Sequence, residues 1–197
     1  MDPAVPGNER LLTEARRILA AVKESTYSHT TTIDEASGRY DVDCSGFVDY
    51  AMSRATPDAF TALVTHTAKR PVASSYVSFA EAPSAQWQRV MRASELVPGD
   101  LVAWLEPASK DTTNTGHVMI VAGVVVVHGN EVDVPIIDST DTPHGATDAR
   151  TVSKTTGVGT GTIGLIVGTD GAPTAYRWSI DKGSPSVTTT IALAHIP

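Results

Sequence analysis

The chain changes its hydrophobic rhythm at Pro98, and no other feature constrains its fold as much. Before that point apolar residues recur at helical spacing. Leu11, Leu12, Ala15, Ile18, Leu19 and Val22 predict a helix over 8–25, with Glu9, Arg10, Glu14, Arg16, Arg17 and Lys23 mostly on its other face. A second helix is predicted from Asp43 to about Arg54, with Asp43 as N-cap and Phe47, Val48, Ala51 and Met52 as the buried stripe. Residues 57–70 and 85–93 read as further helices, the first opened by Pro57 and the second carrying Trp87. Residues 26–42 read as an irregular loop, and 71–84 as mixed cover over the core.

After Pro98 the segments 101–105, 118–127, 134–137, 162–167, 175–180 and 187–193 read as β-branched strands separated by Gly, Pro, Asn and Asp. Residues 169–173 form a hairpin turn signal. Helices first and consecutive strands second predict one α+β domain over 1–197, its N-terminal helices packed on an antiparallel β-sheet. With 41% apolar residues the 197-residue chain can bury a proper core, which excludes a disordered protein.

Charge and cysteine usage narrow the function. A net charge of -7 argues against nucleic-acid binding and against an anionic-lipid anchor. No apolar run approaches the ~20 residues of a membrane span. The start, Met1 to Arg10, shows no signal peptide. A lone cysteine, Cys44, excludes an intramolecular disulfide framework and a thiolate zinc cluster, and suits either side of a membrane.

Three segments hold reactive residues in special settings. In Asp43-Cys44-Ser45-Gly46-Phe47-Val48 the helix reading puts Cys44 in a first turn, where the dipole and free N–H groups favour a thiolate. Gly46 allows a close approach by another group. Taken singly, Cys44 reads sooner as a buried structural thiol. In Gly116-His117-Val118 the histidine opens an apolar strand directly after a glycine and the polar segment Lys110 to Thr115; alone it is a strand-end histidine. In Ile136-Ile137-Asp138-Ser139 the aspartate ends a short strand and alone reads as a turn cap. If those two strands pair antiparallel about a turn at His128 to Asp133, Asp138 comes beside His117. Cys, His and a polar orienter, each at the end of a regular element, suit nucleophilic thiol catalysis.

Other signals are weaker. His128, His144, Asp133, Asp138 and Asp141 can be drawn as a metal site, but their spacing matches no motif, and neither metal nor cofactor is expected. The run Gly157-Val158-Gly159-Thr160-Gly161 leads into a strand, so it reads as a flexible loop rather than a phosphate cradle. Tyr176 and Trp178 read as sheet packing or as the lining of a groove.

The Asp43–Val48 segment resembles the cysteine motif of the NlpC-type cell-wall peptidases of the papain-like superfamily. Pro98-Gly99-Asp100-Leu101-Val102 resembles that family's turn into its first core strand, and Gly116-His117-Val118 its histidine strand, all in the family's order across about residues 27–140. The resemblance implies a papain-like fold with Cys44 as nucleophile, His117 as base and Asp138 as third residue. It implies Asp43, Ser45, Tyr27 and Gly116 beside the substrate, a peptide or peptidoglycan-like substrate, and an extracytoplasmic site of action. The family tyrosine before the cysteine motif is absent from its place, and Tyr27 or Tyr40 stands in for it. Residues 55–95 read as an insert and 141–197 as extra strands. An inactive or binding relative, and an acyltransferase or lipid-deacylating member, are the alternative functions.

Overall fold

The computed structural model describes residues 4–67, 69–82, 84–107 and 114–197. The first helix, α1 (Gly7–Ala21), is followed by three short strands, β1 (Glu24–Tyr27), β2 (Thr32–Asp34) and β3 (Arg39–Val42). Then come α2 (Cys44–Ala55), α3 (Pro57–Thr67), α4 (Ala73–Ala80) and β4 (Gln88–Val90). The second half holds β5 (Leu101–Leu105), β6 (Gly116–Val121), β7 (Val126–His128), β8 (Glu131–Thr140), α5 (Ala149–Ser153), β9 (Gly157–Val167), β10 (Pro173–Arg177), β11 (Ser186–Thr188) and β12 (Ile191–His195). The protein is α+β: helices pack on a large sheet whose described pairings are all antiparallel.

That sheet runs β11-β10-β9-β8-β6-β5-β12-β4, with β7 paired to β8. Side chains alternate across it as strand geometry requires. Leu101, Ala103, Val118, Ile120 and Ile137 face the helices and meet Phe47, Val48, Met52, Leu11 and Ile18. Val102, Trp104, Met119, Val121 and Ile136 face the other way, against Ile163, Leu165 and Leu193. This second face closes by curling. Tyr176 of β10 stacks on Trp104 of β5 with ring centroids 4.1 Å apart, although β9, β8 and β6 lie between them in the sheet.

Helix α2 begins where Asp43 accepts the Gly46 N–H at 2.6 Å, the cap bond that its sequence predicts. It ends before Pro57, because proline disfavours helical backbone in the residue ahead of it. Its fully buried Phe47 and Met52 each contribute about 2–5 kcal/mol against truncation to alanine. Helix α1 places Leu11, Ala15 and Ile18 inward as expected, but Glu14 is buried too, accepting from Arg17 and from Arg54 of α2 at 2.8 Å each.

Several predicted elements differ. Residues 26–42 are not a loop throughout: β1 pairs parallel with β3, and β2 pairs antiparallel with it. Their short length and polar residues hide these strands. The 71–84 stretch contains α4. Residues 85–93 are not a helix. Their Gln88–Val90 pairs with β12, which supplies an edge that local periodicity does not reveal, while Trp87 is buried and donates to the Ala59 carbonyl at 3.0 Å. The predicted 118–127 strand is broken into β6 and β7. The glycine run 157–161 is strand, being the first half of β9. The turn at 169–173 forms as predicted, with Gly168 N–H donating to the Ala172 carbonyl at 2.9 Å. Within residues 141–197, β12 lies between β5 and β4, and the Pro197 carbonyl accepts the Gly7 N–H at 3.0 Å.

Candidate active site

Cys44 occupies the first position of α2, 5% exposed, and lines a cavity of about 410 Å³. The ladder between β6 and β8 consists of Ile120↔Ile137 and Val121↔Ile136. His117 and Asp138 lie past that paired stretch and bridge the strands by their side chains, His117 Nε2 to Asp138 Oδ2 at 2.6 Å. Nε2 being committed, the ring's other nitrogen is left for the Cys44 thiol, whose charge acts on the ring.

Gly116 explains how the ring is set. Its φ is +121°, and a Cβ there would collide with the Trp104 carbonyl oxygen of β5, so only glycine brings the strand start this close. Trp104, opposite His117 in the ladder, and Trp178 flank the imidazole at centroid distances of 5.5 and 5.0 Å.

Electrostatics favour a protonated His117. Burial works against a charged His117, but the Cys44 charge and the hydrogen bond to Asp138 outweigh it and push the imidazole up to about 10. Burial likewise opposes the Asp138 charge. His144, Arg150 and the hydrogen bond from His117 overcome that cost and hold the carboxyl well below the usual range.

The residues grouped around this centre include several that sequence reasoning did not place. Asp138 is fully buried, and His144 Nε2 lies 2.9 Å from its Oδ2. Arg150 Nη2 lies 2.9 Å from Oδ1 as an ion pair, without the alignment of a hydrogen bond. Arg150 is itself buried and bonds Asp148 through Nε and Nη2 at 2.9 and 2.8 Å. The signal for both residues is the spacing of Gly159 and Gly161 along one face of β9. A Cβ on Gly159, which faces Asp138 in the ladder, would lie 2.8 Å from Arg150 Nε. A Cβ on Gly161 would lie 2.7 Å from the His144 Cβ. The glycine run makes room for the charged group behind Asp138.

Asp43, Ser45, Tyr27 and Gly116 all line the Cys44 cavity. Tyr40, the alternative to Tyr27, is buried in the core. Asp43 is already engaged, because Arg70 Nη2 donates to its Oδ1 at 2.5 Å and to Ser45 Oγ at 3.1 Å, so Arg70 forms part of the wall. Gly46 admits Thr31 Oγ1 and Arg70 Nη2, which would lie 2.8 and 3.0 Å from a Cβ. A second cavity of about 240 Å³ adjoins the first across Tyr27 and Gly116 and is walled by His117, Trp104, Tyr176 and Trp178. Tyr176 and Trp178 therefore serve both packing and lining. Most of the polar segment 110–115 before Gly116 lies outside the described residues.

The metal set drawn from sequence does not assemble. His128 and Asp133 pair with each other at 3.2 Å on the β7–β8 hairpin. His117, Asp138 and His144 do offer donor atoms within 4.8 Å of one another. His117 and His144 both contact Asp138 directly, and the Arg150 guanidinium adjoins the same carboxylate.

Fold and site together define an α+β protein with a Cys–His–Asp array at the mouth of a cleft. No protein-family model matches the chain, and no solved structure matches it. It is similar to an uncharacterized protein of Acanthamoeba polyphaga mimivirus, 28% identical over 167 residues that cover 76% of this chain and 73% of that one.

Proposed function

We propose that this protein is a cysteine hydrolase of amide bonds, built on a papain-like, NlpC-type plan, with peptides such as peptidoglycan stems as its substrate class. The observation that carries the reading is His117, buried between the Cys44 thiol and the Asp138 carboxylate where two cavities meet. A helix that starts with its cysteine and lies across β6 and β8 supports the papain-like plan.

His117 takes the thiol proton, and the Cys44 sulfur attacks the carbonyl carbon. The Gly46 N–H is engaged by Asp43, so the Cys44 N–H is the candidate donor to the oxyanion. His117 returns the proton to the leaving amine as the C–N bond breaks. Water, deprotonated by the same imidazole, then attacks the thioester, which releases the acid and restores the thiol. Asp138 keeps the ring oriented and stabilises its charge.

The test is a digest of purified peptidoglycan and of simple peptides by wild type and Cys44→Ala, read by mass spectrometry. New amine and acid termini with wild type alone support the reading. Products appearing only when an acceptor amine is supplied assign acyl transfer instead. No product from any acyl substrate, together with a Cys44 inert to iodoacetamide at about pH 6, where ordinary thiols are protonated, assigns a binding role.

A further inference from the structure

The hydrolase reading leaves one buried group unused, the imidazole of His144. Its Nδ1 lies 2.8 Å from the Trp178 carbonyl oxygen and its Nε2 lies 2.9 Å from Asp138 Oδ2. A carbonyl oxygen only accepts, and an ionised carboxylate only accepts. A neutral imidazole has one donor and one acceptor nitrogen, so one of these two contacts would set lone pair against lone pair in a fully buried place.

We infer that His144 carries a proton on both ring nitrogens and is a positioning residue, sharing the Asp138 carboxylate with His117 and drawing off part of its charge. The charged and titratable groups around it come from every side. Asp138 lies on β8, and His117 on β6 at a ring distance of 6.1 Å. Arg150 of α5 shares Asp138, and Asp148 at the α5 N-cap accepts the His144 backbone N–H at 2.7 Å. Trp178, past β10, stacks on the ring at 4.1 Å, and Asp181 beyond it holds the Ala146 N–H at 2.8 Å.

The role follows from proton traffic. A carboxylate facing His117 alone would stabilise the imidazolium strongly and make it a reluctant acid. A second cation on the same oxygen weakens that hold and repels the His117 charge, so the proton can pass to the leaving amine. The role, though not the double protonation, rests on the hydrolase reading above.

The experiment is ring-nitrogen NMR of histidine-labelled protein, with the His144 signal assigned by its loss in His144→Gln. At about pH 8, where exposed imidazoles are neutral, both His144 ring nitrogens are expected to bear protons. In His144→Gln the His117 titration is expected to move to higher pH by about half a unit or more. A merely structural His144 would lower the melting temperature and leave that titration in place. A singly protonated His144 in the wild type overturns the inference; if the variant fails to fold, through-bond assignment from the His144 backbone in the wild type keeps the test decisive. Iodoacetamide alkylation of wild-type Cys44 separates the two failures: an inert Cys44 defeats the hydrolase reading, whereas a reactive Cys44 beside a singly protonated His144 defeats this inference alone.

Discussion

Asp138→Asn is the sharpest perturbation of the site. Three groups converge on the buried carboxylate: His117 Nε2 at 2.6 Å, His144 Nε2 at 2.9 Å and, as an ion pair, the Arg150 guanidinium at 2.9 Å. An asparagine offers one acceptor oxygen, and its NH₂ meets a donor. The change also strips one negative charge from among buried cations. Removing one member of a buried ion pair costs about 3–5 kcal/mol, against a total stability of about 5–15 kcal/mol. The variant should fold at room temperature and melt about 6–20 °C lower, at roughly 2–4 °C per kcal/mol for a chain of this size. On the chemistry, His117 loses the acceptor that orients it and stabilises its charge, so turnover should fall ~10²–10⁴-fold. The imidazole should release its proton at lower pH than the wild type's value of about 10, because the Asp138 hydrogen bond is among the causes that raise it. Calorimetry, turnover and the His117 titration belong on the same samples. Near-normal turnover with a lowered melting temperature would refute the orienting role and leave Asp138 as scaffold. An unchanged melting temperature would refute the buried-charge reasoning. A mere turn cap would cost only about 0.5–2 kcal/mol and leave turnover intact.

Three further outcomes follow from particular contacts. Cys44→Ala should abolish hydrolysis, keep the fold, and lower the pH at which His117 titrates, since the Cys44 charge heads the causes that raise it; NMR of the His117 ring checks this. Because the folded His117 is raised from an ordinary 6.5 to about 10, the stability it contributes is complete below about pH 6.5 and lost as the pH rises toward 10. The gap in unfolding free energy between wild type and His117→Gln should narrow over that window in denaturant titrations. Gly161→Ala puts a Cβ 2.7 Å from His144 and 2.9 Å from Asp148 Oδ2, which should cost about 1–3 kcal/mol of overpacking and slow Cys44 alkylation; an alanine tolerated without either effect would contradict the packing described.

Features of the site set by nearest neighbours in the chain were legible from residue order. Asp43 caps the helix that Cys44 opens because an N-cap and its target N–H are three residues apart. His117 starts a strand and Asp138 ends a predicted one, so an antiparallel return was enough to suggest their meeting. The α+β class followed from the change of period at Pro98.

What residue order could not show depends on partners far along the chain. The strand Gln88–Val90 exists because β12 pairs with it from about a hundred residues away. The glycines of β9 read as a loop because local propensity disfavours glycine in strands, yet β8 holds them in a ladder and their missing side chains admit His144 and Arg150. Arg70 reaches the wall of the Cys44 cavity through its contacts with Asp43, Ser45 and Asp49 across the fold. Local chemistry decided where a nucleophile, a base and an orienter could stand. Tertiary structure decided which buried charges surround them, because a charge is stable in a core only where distant elements bring its partners within hydrogen-bond reach.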